Sequence, residues 1–179
     1  WDIDISGMKI EVKFAFSLVE NQTNKIWMEY AYGNGKRSGI RKCKADYFLL
    51  IVPGHDRNNE IVGKWHLVRR KEFIKYCAGV YREAKNNPKL RQNILKTFKG
   101  NGIGRGSRCV LIDIKTFSQK HPKWEIGMED CGVIWSKDHR KIIGYDLTDI
   151  RDHVPMANGR YFVVDNLEKW FSSSQLQLA

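Results

Sequence analysis

No apolar run in the 179-residue chain approaches the roughly 20 residues that a bilayer-spanning helix needs, which excludes a transmembrane helix. No charged-then-apolar leader stands at the start, where the chain opens on Trp1 without an initiator methionine, so nothing in the sequence argues for secretion. Cysteine is sparse: Cys43, Cys77, Cys109 and Cys131 lie 34, 32 and 22 residues apart. That spacing gives neither the CxxC of a zinc knuckle nor the dense framework of a disulfide-stapled secreted domain. Reduced, buried thiols are expected, in a cytoplasm, or in a host cell's interior if the chain is virus-encoded. His55, His66, His121, His139 and His153 form no HxH or HExxH spacing, which argues against a zinc centre. GxSxG is absent as well, so the nucleophile elbow of a serine hydrolase is excluded.

What is present is an ordinary globular composition, 42% apolar and 28% charged, long enough for one domain with a sizeable core. The net charge of +11 is concentrated. Residues 1–60 carry 9 Lys/Arg against 8 Asp/Glu, residues 111–179 carry 9 against 10, and residues 61–110 carry 13 against 2. Such a block is the electrostatic footprint of a polyanion-binding face, because each neutralised phosphate releases condensed counterion. The alternative is a solvated, charge-rich helix surface. Aromatic residues interleave with the block (Trp65, Phe73, Tyr76, Tyr81, Phe98), most of them expected to face a core.

The patterning predicts a mixed α/β chain. Residues 1–5 and 8–14 alternate around Ser6-Gly7 as a tight hairpin. KIWMEYAY (25–32) is a strand followed by the turn Gly33-Asn34-Gly35, and Ser38 is placed to cap a short basic helix over 39–44. ADYFLLIVPG (45–54) is a central strand buried on both faces. A mobile polar loop at 55–60 precedes a strand at 63–69 and a helix at about 70–85, which Asn86-Asn87-Pro88 breaks. A second basic helix is expected at 89–98, then a glycine-rich loop (100–107) and a strand at 109–114. Further on come a helical turn near 115–120, strands near 132–135, 141–146 and 160–164, and a terminal helix at 165–171.

The hairpin carries the chemistry. With Ser6-Gly7 as the turn, Ile5 faces Met8, Asp4 faces Lys9, Ile3 faces Ile10 and Asp2 faces Glu11. Strand alternation then makes one face wholly apolar (Ile3, Ile5, Met8, Ile10, Val12) and the other wholly charged (Asp2, Asp4, Lys9, Glu11, Lys13). Opposed carboxylates repel unless water solvates them, Lys9 and Lys13 screen them, or a divalent cation lies between them. Hard oxygen donors of this kind suit Mg²⁺, which takes one or two carboxylates plus substrate phosphate. Lys13 is on the same face, placed to orient an attacking water and offset charge on the phosphorus. A solvated polar face of an edge hairpin fits the same spacing.

Asp2, eight intervening residues, then Glu11-Val12-Lys13 resembles the signature of the PD-(D/E)XK nuclease superfamily, with Trp1 in place of the proline. The resemblance extends through a third strand with Glu29, a short helix opening at Ser38-Gly39, and the strand Ala45-Asp46-Tyr47. It covers residues 1–54 most specifically, and reaches about 114, where the succession looks like phage-type relatives. It implies a restriction-endonuclease-like mixed central sheet flanked by helices, over residues 1–114, with 115–179 as a C-terminal α/β elaboration, separate or part of the same domain, whose role the sequence leaves open. The family's helix ahead of the first strand has no counterpart after Trp1.

By that resemblance Asp2 and Glu11 hold Mg²⁺, or Mn²⁺ in its place, and Lys13 is catalytic. Glu29 is an additional ligand candidate, or a solvent-facing strand carboxylate. The implied activity is metal-dependent endonucleolytic hydrolysis of DNA, and a homodimer with one site per strand is the implied assembly. Lys36, Arg37, Arg41, Lys42, Arg69, Arg70, Lys71, Arg105 and Arg108 are the candidate phosphate contacts. Two alternatives stand: a DNA-binding module without catalysis that uses residues 61–110, and an HNH-like nuclease around Asp152-His153 and Asn166. The second lacks the final His or Asn of that pattern. GNGIGRGS follows a basic stretch and carries no GK[ST], so a P-loop is excluded. Asp113-Ile114-Lys115 lacks a carboxylate hairpin ahead of it and is taken as a buried strand end.

Overall fold

The computed structural model describes residues 2–5, 8–15, 24–99, 106–123, 125–140, 142–146, 153–155 and 161–163. Among the described residues, eleven strands and three α-helices make a mixed α+β architecture. In chain order these are β1 (Ile3–Ile5), β2 (Met8–Phe14), β3 (Lys25–Tyr32), β4 (Tyr47–His55), β5 (Ile61–Arg69), α1 (Arg70–Asn86), α2 (Pro88–Ile94), β6 (Leu95–Phe98), β7 (Ser107–Asp113), α3 (Ile114–Lys120), β8 (Glu125–Trp135), β9 (Ile142–Asp146), β10 (His153–Pro155) and β11 (Tyr161–Val163). A six-stranded sheet runs β1-β2-β4-β5-β8-β9, and a three-stranded sheet runs β3-β7-β6. β10 and β11 form a separate two-stranded sheet. Among the described strands β2 and β4 pair in parallel and the other pairings are antiparallel. No described helix is long and apolar enough to cross a membrane.

Continuous apolar sequence decides the centre. From Phe48 to Gly54 every residue of β4 is buried, as a strand covered on both faces requires. Pro53 is tolerated there for a local reason. Its carbonyl accepts from Asn24 N–H (2.7 Å), so its edge faces the side on which β2 has already ended, and no ladder donor is lost. Phe48, Leu50 and Val52 point from β4 into a core shared with Ile26 and Met28 of β3, Val110 and Ile112 of β7, Phe73 and Cys77 of α1, and Phe117 of α3. The large sheet curls far enough for Tyr145 of β9 to stack on Phe14 of β2 (centroids 6.0 Å apart, planes at 5°) and donate its hydroxyl to the Ala15 carbonyl.

Several expectations are corrected. The basic helix after Pro88 ends at Ile94 instead of 98, because none of its seven residues is buried and a longer helix has no apolar stripe to cover. Leu95–Phe98 instead pairs with β7, and Phe98 meets Trp27 edge-on at 5.4 Å. The loop at 55–60 is a hydrogen-bonded turn: Asp56 Oδ1 accepts from the amides of Asn58 and Glu60, both at 2.8 Å, and closes β4 and β5 into a hairpin. The basic helix after Ser38 shrinks to one 3₁₀ turn, Gly39–Arg41, and Ser38 does not cap it. β8, whose residues lie past 114, is hydrogen-bonded to β5 within the central sheet. Phe98 is partly exposed, whereas Trp65 and Phe73 are buried. The Ser6-Gly7 turn, most of the glycine-rich loop and the terminal helix at 165–171 lie outside the described residues.

Candidate active site

β1 and β2 pair in the expected register: Ile3 with Ile10, Asp4 with Lys9, Ile5 with Met8. The ladder stops there, and Asp2 departs from the expected pairing with Glu11. Its backbone N–H donates to Ile10 O (2.9 Å), while its carboxylate Oδ2 accepts the Val12 N–H (2.8 Å). Asp2 thus completes the open edge of β2 with its side chain, where one more residue of β1 would have done so with its backbone.

Glu11 and Lys13 lie one alternation apart on the same face of β2, and Lys13 Nζ stands 2.5 Å from Glu11 Oε1. Their parallel partners in β4 are Phe48 and Leu50, both members of the buried core. The ion pair therefore sits at the rim of that core, its side chains 33% (Lys13) and 20% (Glu11) exposed. Burial pushes the Glu11 carboxyl up, but the hydrogen bond and charge of Lys13 act against it, and the net result lies below the usual carboxylate value. Glu11 is ionised at neutral pH.

The tertiary structure adds two groups. Arg70, the first residue of α1, donates from Nη1 to the Cys43 carbonyl (3.2 Å). Burial raises the Cys43 thiol, and Glu11, Lys13 and Arg70 all lie within electrostatic reach of it. Cys43 thereby links the start of the basic segment to the surroundings of the carboxylate–lysine pair. Cys43 is a residue that sequence reasoning missed, since a lone half-buried cysteine carries no motif. Cys43, Cys77 and Cys109 are free cysteines, and burial raises Cys77 and pushes Cys109 to about 12, so the latter two are thiols at neutral pH.

Glu29 serves elsewhere. Its Oε1 accepts from the Ser38 hydroxyl and its Oε2 from the Ser107 hydroxyl, tying β3 to the 3₁₀ turn and to β7. Among the described residues no three His, Cys, Asp or Glu side chains gather closely enough to share a metal ion, so Glu29 does not join Asp2 and Glu11 in a three-ligand group. Asp2 and Glu11 each offer hard carboxylate oxygens, donor chemistry that suits Mg²⁺ or Mn²⁺ and not a thiophilic ion.

The basic candidates fall into two patches. Lys36, Arg37 and Lys42 are exposed around the turn after β3, where Lys42 Nζ lies 5.7 Å from the Tyr32 ring centroid. Arg108 joins them, donating to Gly33 O (2.9 Å). Arg41 is exposed on the 3₁₀ turn, and Arg69 and Lys71 flank the start of α1. Lys71, Lys75, Arg82 and Lys85 are all exposed, at helical spacing along one face of α1. The last three were legible as a helically spaced set within the basic block. Arg105 and the Asp152 and Asn166 of the HNH-like alternative lie outside the described residues, and His153 opens β10. Asp113 caps α3 through Thr116 N–H (2.9 Å), in keeping with a structural strand end.

Compared with models of protein families, with curated proteins and with solved structures, the chain matches none.

Proposed function

We propose that this protein is a metal-dependent endonuclease that hydrolyses phosphodiester bonds in DNA, with a restriction-endonuclease-like core. The observation that carries the proposal is the Glu11–Lys13 contact of 2.5 Å on β2, the strand whose edge the Asp2 carboxylate caps at Val12 N–H. Asp2 and Glu11 would hold Mg²⁺, or Mn²⁺. When bound, that ion supplies Lewis-acid polarisation of the phosphate and lowers the pKa of water. Lys13 positions the attacking water and offsets charge on the phosphoryl oxygens. Arg70 and the exposed face of α1 hold the phosphate backbone. Reduced thiols accord with a cytoplasmic setting, or a host cell's interior, and a homodimer would place one site on each strand of a duplex.

Supercoiled plasmid tests this with Mg²⁺, with Ca²⁺ and with EDTA. Wild type is expected to nick or linearise it in Mg²⁺ alone, and Lys13→Ala to lose at least about 100-fold in rate, in the range of a lost general acid–base group, while DNA affinity persists. Cleavage that survives Lys13→Ala sinks the hairpin assignment and returns attention to His153. The second reading is a DNA-binding module without catalysis, favoured by the use of the Asp2 carboxylate to cap Val12 N–H. It predicts binding that is indifferent to Mg²⁺ and no cutting.

A further inference from the structure

Between α1, β3 and the 3₁₀ turn lies a cavity of about 350 Å³. Its floor is apolar, with buried Cys77 and Val110. One wall carries Tyr30 and Tyr81, whose ring centroids are 5.0 Å apart at 60°, tilted and not stacked, so neither ring covers the other face to face. Two guanidinium groups line it from opposite sides, Arg41 from the 3₁₀ turn and Arg82 from α1, and both residues are exposed. No carboxylate is among the described lining residues. The volume is at the low end of the ~300–1,000 Å³ of small-molecule sites, suited to one planar ring system and too small for a peptide helix.

Its position is as informative as its lining. Arg41 stands two residues before Cys43, which feels the charges of Glu11 and Lys13. Arg82 belongs to the same exposed face of α1 as Lys71 and Lys75.

We propose that the cavity receives one unpaired nucleobase of the bound DNA strand, stacked against the tyrosine wall, with Arg41 and Arg82 on the flanking phosphates. The substrate is then DNA with an unpaired nucleotide beside the cut, not a continuous duplex. Apolar floor, aromatic wall and paired cations are what a base with its phosphates demands, because every base offers a π-face and each phosphate a negative charge. The placement of the cut rests on the nuclease reading; the capture of the base does not.

The test compares two duplexes of equal length in EDTA, one fully paired and one carrying a single bulged 2-aminopurine nucleotide. Wild type is expected to bind the bulged duplex roughly tenfold tighter, the factor that one base stacked on an aromatic side chain provides, and to quench its fluorescence. Ala78→Phe, at an exposed helix position lining the cavity, fills it from outside and abolishes both effects, leaving affinity for paired DNA unchanged. Arg82→Gln weakens the preference without touching the floor. Equal affinity of wild type for the two duplexes, or a preference that survives Ala78→Phe, overturns the proposal. A protein that captures the bulged base and never cuts in Mg²⁺ upholds the cavity and sinks the nuclease. One that cuts paired and bulged DNA alike without quenching does the reverse.

Discussion

At Glu11 two opposing effects meet on one carboxyl: a half-buried position that disfavours charge, and a lysine 2.5 Å away that favours it. On balance the charged form is favoured, so the folded-state pKa lies below the ordinary value of 4.5. The unfolded chain then binds the proton more readily than the folded one, and stability rises with pH across that window. The contribution of Glu11 is therefore complete above about pH 4.5 and is lost as pH falls through the lowered folded-state value. Denaturant midpoints measured from neutral pH downward are expected to show a shallower acid limb for Glu11→Gln than for wild type. An identical limb in both proteins shows that the pair exerts no such coupling. The same ion pair that tunes stability keeps Glu11 charged, the state in which a carboxylate can ligate a cation.

Among the elements, the 3₁₀ turn Gly39–Arg41 links scaffold to site most directly. Gly39 has φ +49°, and a Cβ there would lie 2.8 Å from the Glu29 carbonyl carbon and closer still to its oxygen. Only glycine lets the turn lie against β3, where the Ser38 hydroxyl reaches Glu29. Arg41 and Cys43 are placed by that contact. Gly39→Ala is expected to destabilise by at least about 2 kcal/mol, since it adds both a left-handed backbone conformation and a backbone clash. Gly79 is the contrast: it lies inside α1, a Cβ there would meet nothing within 4 Å, and no positive φ is needed. Gly79→Ala is expected to stabilise by about 0.5–1 kcal/mol, the helix-propensity difference. Chemical denaturation of the two variants reads both signs, and a neutral Gly39→Ala shows that the turn can move off β3.

On the scale of the molecule, charge is distributed by folding as well as by sequence. The exposed face of α1 carries Lys71, Lys75, Arg82 and Lys85, the first and last of them separated by roughly 21 Å of helix. The Glu11–Lys13 pair stands near the start of that line. If the stripe neutralises phosphates, the logarithm of the DNA association constant falls linearly with the logarithm of salt concentration. Lys75→Gln and Lys85→Gln are each expected to reduce that slope by about 0.9. Slopes that do not change place the DNA elsewhere, with the patch of Lys36, Arg37, Lys42 and Arg108 the next surface to test. The curl of the large sheet, which brings Tyr145 over Phe14 and Ala15, keeps β2 fixed as the platform for the charged pair.

The hairpin register, the both-faces-buried β4, the strand at Lys25–Tyr32 and the helix opening at Arg70 were all readable from period and punctuation, because each depends on local alternation and on where apolar residues recur. The nearness of Glu11 and Lys13 was readable for the same reason: two residues apart on a strand share a face. Leu95–Phe98 was not, since a basic stretch with few apolar residues fits helix and edge strand equally until β7 supplies a partner. Nor could the sequence say that the Asp2 carboxylate turns to cap Val12, that Glu29 is shared between Ser38 and Ser107, or that Arg70 bonds the carbonyl of Cys43, which feels the charges of the pair on β2. Alternation and charge content are properties of neighbouring residues, so the sequence alone determined the strongly periodic elements and the charged pair. Which distant groups meet depends on how two sheets and α1 close over one core, and only the tertiary structure decided that.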